Sequence, residues 1–116
     1  FLSFMRYPIE YITVKGRKTV TKDEAREIAQ KYIDSIDHGN DFRVMIDDKA
    51  TKTYDNFWVF YYNTAEFIRT RNLLSILVGN APIIITDSGE IHITGTARSI
   101  EYYVNNFQKT GNPHQQ

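Results

Sequence analysis

Phe57-Trp58-Val59-Phe60-Tyr61-Tyr62 is the stretch on which the fold turns. On an extended chain its side chains alternate, with Trp58, Phe60 and Tyr62 on one side and Phe57, Val59 and Tyr61 on the other. Both sides are apolar or amphipathic, as a central strand covered on two faces requires. Trp58, the only tryptophan, reads as a core anchor. A strand of this kind needs a covering layer on each face, and the flanking sequence offers two helices to supply them.

The first helix lies upstream. Thr21 and Glu24 form a capping box, and Asp23 and Glu24 suit the positive end of the helix dipole. Ala25, Ile28, Ala29, Tyr32, Ile33 and Ile36 then recur on one helical face, and Gly39 suits its C-terminal end. Phe42, Val44 and Ile46 alternate as a strand. Residues 47–56 are polar and read as a connection within an antiparallel pair. Ahead of Thr21, Ile9 to Val14 reads as a short strand or hairpin with a turn at Lys15-Gly16-Arg17. Lys15, Arg17, Lys18 and Lys22 there read as a solvated basic turn.

Downstream of the aromatic strand, Asn63 or Thr64 can cap a short helix carrying Phe67 and Ile68. Leu73, Leu74, Ile76 and Leu77 follow at near-helical spacing, so 64–78 reads as one or two short helices broken near Thr70. Gly79 ends the second, and Pro82, lacking a backbone donor, belongs at the start of a strand. Ile83 to Thr86 and Glu90 to Thr94 make a hairpin around Asp87-Ser88-Gly89, with Gly89 in the left-handed region. Ile91 and Ile93 point one way, and Glu90, His92 and Thr94 the other. A last helix runs from about Arg98 to Lys109 with Ile100, Tyr103, Val104 and Phe107 as its buried stripe. Gly111 lies past its end, and 111–116 reads as a frayed, flexible tail.

The expected fold class is therefore α+β: a small antiparallel sheet of about four to five strands, packed by an N-terminal and a C-terminal helix. A short helical insertion precedes the last hairpin. The 116 residues suit one domain, with 1–20 the segment of uncertain role.

Composition narrows the function by exclusion. Fourteen basic and fourteen acidic side chains give a formal net charge of zero, so no global field draws nucleic acid or anionic membrane. The chain has no cysteine, which removes disulfides, thiolate nucleophiles and cysteine-bound zinc. No apolar run approaches the ~20 residues of a membrane span. His38, His92 and His114 lack helical metal-site spacing, and His92 reads as a surface hairpin residue. A catalytic role for His92 with Glu90 or Glu101 is the weakest of the functional readings. No catalytic, cofactor-binding or metal-binding set is expected.

What remains is protein recognition. Asp34, Asp37, Asp41, Asp47 and Asp48 cluster around the end of the first helix and the following strand. They read first as a solvated acidic patch and second as a docking patch for a basic partner. Eight tyrosines exceed the needs of a core this size, and Tyr61 and Tyr62 read as exposed aromatics able to anchor an interface. Asn80 can fix its turn or face a partner.

The ordered set Trp58-Val59-Phe60-Tyr61-Tyr62-Asn63, Gly79-Asn80-Ala81-Pro82-Ile83-Ile84-Ile85, Asp87-Ser88-Gly89-Glu90-Ile91, Gly95-Thr96-Ala97 and Ile100-Glu101-Tyr102 resembles the immunity protein 35 family of small YrhB-like bacterial proteins. One departure is Phe57, where that pattern has glycine before the tryptophan. The resemblance implies an α+β protein, not an enzyme. Such a protein binds a cognate bacterial toxin of a polymorphic-toxin or contact-dependent competition system and occludes its active or essential surface. The alternative is a general protein-binding or chaperone-like domain without a toxin partner. The resemblance carries no partner-binding residue across, and the oligomeric state stays open. The cytoplasm is the expected compartment, with the periplasm as the alternative because the sequence does not begin with methionine.

Overall fold

The structure, a computed structural model, describes residues 4–6, 19–36 and 43–116. Its elements in chain order are β1 (Phe4–Arg6), α1 (Lys22–Asp34), β2 (Val44–Ile46), β3 (Lys52–Thr53), β4 (Phe57–Phe60), β5 (Tyr62–Thr64), α2 (Ala65–Thr70), β6 (Ile83–Thr86), β7 (Glu90–Ile93) and α3 (Ile100–Thr110). Single 3-10 turns occupy Asp48–Ala50 and Leu73–Ser75. Five strands form one antiparallel sheet in the order β1-β7-β6-β4-β3, and β2 pairs with β5 in a separate antiparallel ribbon. This is the expected α+β class. The expected strand over Ile9 to Val14, its turn and the Gly39 stop lie outside the described residues.

The aromatic strand is covered on both faces. Pairing sets Phe60 against Ile83, Val59 against Ile84 and Trp58 against Ile85. On one face Phe60, Ile83, Ile85 and Ile91 pack with Ala25, Ile28, Ala29 and Ile33 of α1, and Trp58 packs at the margin. On the other, Phe57, Val59 and Ile84 pack with Val104, Ile100 and Phe107 of α3. Phe57 stacks on Tyr54 at 4.6 Å and meets the edge of Phe107 at 5.1 Å. A glycine in its place would remove this whole aromatic contact, so Phe57 fills the core under α3.

Local signals explain the helix ends. At α1 the Thr21 hydroxyl accepts from Glu24 N–H, and the Glu24 carboxylate accepts from Thr21 N–H at 2.8 Å, a complete capping box. The helix stops at Asp34 with Ser35 as its cap residue, ahead of the glycine expected to end it. Its Gln30 closes the free side of β2: the side-chain amide donates to Val44 O at 3.1 Å and accepts from Ile46 N–H at 3.1 Å. That is the pattern a neighbouring strand would make, so one side chain caps an otherwise open edge. At the other end of the chain, Ser99 caps α3 and Gly111, at φ 79°, ends it.

Two expectations are corrected. The segment after α3, expected to fray, folds back. Asn106 donates to Pro113 O at 3.1 Å, the His114 ring lies 2.7 Å from Ile93 O, and Pro113 is buried. The continuous strand expected over 57–62 is broken at Tyr61, and its second half leaves the main sheet to pair with β2.

Gly95 is required by a close approach. A methyl built there would lie 2.5 Å from the Tyr103 hydroxyl oxygen and 2.9 Å from its Cζ. Tyr103 is itself buried, so its ring would have to shift. Gly95→Ala is expected to cost about 1–3 kcal/mol and to lower the melting temperature by about 4 °C or more. In a thermal double-mutant cycle, Tyr103→Phe, which deletes the nearest atom, should recover part of that loss.

Candidate functional site

The surface most unlike an ordinary globular exterior lies between α2 and β6. Four large apolar side chains stand out of it: Leu73 at 73% exposure, Leu74 at 93%, Ile76 at 39% and Val78 at 78%. Read as sequence, this run resembles the buried stripe of a short helix. The chain instead makes one 3-10 turn at Leu73–Ser75 and continues extended from Ile76. Only Leu77 turns inward, onto the core under α1.

The loop is held by polar groups from β5 and its surroundings. Asn63 donates from Nδ2 to Leu77 O at 3.1 Å and accepts from Leu77 N–H at 2.8 Å. Its Oδ1 also accepts from Thr64 N–H at 2.9 Å. The Thr64 hydroxyl donates to Ser75 O at 2.7 Å and caps α2 by accepting from Phe67 N–H at 3.0 Å. At the near end, Arg71 takes the left-handed conformation at φ 57°, the only non-glycine residue among those described with positive φ. Such a backbone costs energy for a side-chain-bearing residue. Opposing that cost, the Arg71 guanidinium makes a two-pronged contact with Asp47 at 2.9 and 3.2 Å and lies over the Phe67 ring at 5.3 Å. At the far end, Asn80 donates to Tyr62 O, and Gly79 turns the chain at φ 80°.

The residues singled out from sequence fall into three groups. Asp47 is buried and paired with Arg71; Asp48 is exposed and paired with Arg26 at 2.6 and 3.1 Å. Each carboxylate thus faces a guanidinium, which offsets its charge toward a basic partner. Asp34 is exposed and accepts from Gln30 at 2.9 Å. Asp37 and Asp41 lie outside the described residues. Tyr61 is half-buried on the α3 side. Tyr62, expected to be exposed, is buried in the core under α1, where burial and then Tyr32 push its phenol above the ordinary value. The Asn80 side chain fixes its turn. The apolar loop and Arg71 were not legible as a site. The usable signal was that Asn72 and Gly79-Asn80 bracket a run too short to make a buried helical face.

His92 is also corrected. It is 5% exposed, packed 4.7 Å from Phe107 beneath α3, with Nε2 3.3 Å from Glu90 Oε1. Burial depresses the imidazole below its ordinary value, and Glu90 partly opposes this. An enclosed ring packed on a helix serves the core and is not presented to a substrate. Among the described residues no group of three side chains is placed to hold a metal ion.

The comparisons with known proteins agree with the fold-bearing residues. The family model described as Immunity protein 35 matches residues 23–106, from α1 through most of α3. The "Uncharacterized protein YrhB" of Escherichia coli (strain K12) is 44% identical over 52 residues, which are 44% of this chain and 55% of that protein. The chain thus spans about half the length of that curated relative. No solved structure matches.

Two outcomes follow from the geometry. Asn63→Ala leaves Leu77 N–H, Leu77 O and Thr64 N–H without these partners and is expected to cost about 1–3 kcal/mol. Hydrogen–deuterium exchange should quicken at Leu77 and Thr64 while Ile84 and Ile85 stay slow; uniform protection would refute the clamp. For His92, the unfolded chain takes up a proton as pH falls below the ordinary value of 6.5, and the folded state resists it. His92 therefore costs no stability above that value and progressively more as pH falls toward its lower folded value. His92→Phe should lose that part of the slope in melts between about pH 8 and pH 5.

Proposed function

The chain belongs to the immunity protein 35 family, and from that premise we propose that it binds a bacterial toxin encoded beside it and neutralises it by covering its active or essential surface. The toxin would belong to a polymorphic-toxin or contact-dependent competition system, and the encounter would take place in the cytoplasm of the producing cell. The observation that carries this reading is the clamped loop with Leu73, Leu74, Ile76 and Val78 exposed together. Exposed apolar groups clustered at one place mark interaction sites more often than chance exposure does.

The same loop favours this reading over a general chaperone-like binder. Promiscuous surfaces rely on flexible side chains and loops that repack around each client. Here Asn63, Thr64 and the Arg71–Asp47 pair hold one loop shape. A fixed shape suits one partner.

The test is coexpression with the toxin domain of the adjacent gene. The expected outcome is restored growth, together with a purified 1:1 complex with dissociation constant in the nanomolar range or tighter. A folded toxin domain that still kills the coexpressing cell, and that passes through a column bearing this protein without retention, would refute the reading.

A further inference from the structure

We infer that the loop carrying Leu73 to Val78 is a plug whose tip, Leu74, enters a concave apolar cleft of the partner protein and forms the centre of the interface. The inference rests on the reading above and names the surface that performs it.

Leu74 is 93% exposed, so almost nothing among the described residues lies against it and the side chain projects. Leu73 and Val78 flank it at 73% and 78%, while Leu77, turned inward, anchors the base. A projecting apolar group finds full burial only in a cavity. Enzyme substrate clefts are concave and mostly apolar in lining, and filling one excludes substrate without any chemistry by the plug.

Another copy of this chain does not fit as the occupant. A two-fold interface sets the same patch against itself, and two convex tips do not interdigitate. Four side chains also offer only a few hundred Å² on each side, short of the about 800 Å² per partner of a stable dimer. A larger partner that wraps the loop and its shoulders reaches that area.

Arg69 pairs with Glu66 at 2.6 Å and Arg71 with Asp47 at 2.9 Å. The shoulders are therefore polar but locally balanced in charge, and the centre carries no charge. That is the anatomy of a specific interface, a polar rim around an uncharged core. The clamps on Leu77 and Ser75 add preorganisation, which lowers the ordering cost paid on association.

The experiment titrates the purified toxin domain of the adjacent gene with wild-type protein, Leu74→Asp and Leu74→Met, by calorimetry. Both substitutions sit at an exposed tip, so melting temperatures should match the wild type within about 1 °C. Leu74→Asp should weaken binding by at least about tenfold, since it drives a charge into the apolar cleft. Leu74→Met, which keeps volume and apolarity, should stay within about tenfold of wild type. A smaller loss for Leu74→Asp overturns the plug while leaving the immunity reading intact. Wild-type dimerisation that Leu74→Asp abolishes, seen by sedimentation, overturns it in favour of a second copy. A wild-type protein that binds no toxin overturns the immunity reading and the plug together.

Discussion

Burial of both faces of β6 is the constraint on which the other elements depend. Ile83, Ile84 and Ile85 are each fully buried, yet they point alternately to opposite sides. Ile83 and Ile85 belong to the core under α1, and Ile84 to the core under α3. Each such side chain is worth about 1.5–3 kcal/mol when fully removed from water. A sheet lacking either helix would expose part of this strand and of its partner β4. The first and last helices, far apart in sequence, are therefore coupled through a strand that lies between them in space.

A second constraint sits at the start of β6. Phe60 pairs with Ile83, the last rung that β4 shares with β6. Pro82 turns its carbonyl the other way, to β7, where it accepts from both Thr94 N–H and the Thr94 hydroxyl. The next hydrogen-bonded rung between β4 and β6 would set Tyr62 against Ala81, beyond the proline, and it is not made. The chain beyond Phe60 must take its hydrogen bonds elsewhere, and Tyr62–Thr64 pairs with Val44–Ile46 instead. The Asn80 side chain then supplies Tyr62 O with the donor that a strand partner would have given. The switch of sheets brings Asn63 and Thr64 beneath the 71–80 segment, where their side chains can hold it.

The sequence made the layers legible because their signals are local. Thr21 and Glu24 cap the helix they mark. Gly89, at φ 87°, closes the hairpin with its N–H on Thr86 O. The alternation Phe57 to Tyr62 assigns each side chain to the correct core. The errors have a common cause: they concern which surface is covered by residues distant in sequence. His92 is buried only because α3 lies over it, and Tyr62 because its strand leaves the sheet toward α1. Asp47 meets Arg71 across 24 positions of chain. Periodicity reports that Leu73, Leu74, Ile76 and Leu77 could share a face, but not whether another element comes to cover it.

The exposure of the loop is a consequence of how it is held. Asn63 takes both backbone groups of Leu77, which fixes that side chain toward the core. Ile76 is extended, at φ −75° and ψ 137°, and successive side chains of an extended chain point to opposite sides. Once Leu77 faces inward, Ile76 and Val78 must face outward. The turn before them is fixed independently by Thr64 on Ser75 O and by Asn72 on Leu74 N–H, which leaves Leu73 and Leu74 on the outside as well. Four polar contacts thus display apolar groups that contribute little to the core. In a sequence otherwise consistent from caps to core, a local rule broken at one place and held by dedicated hydrogen bonds is the signature of a site shaped for something other than folding.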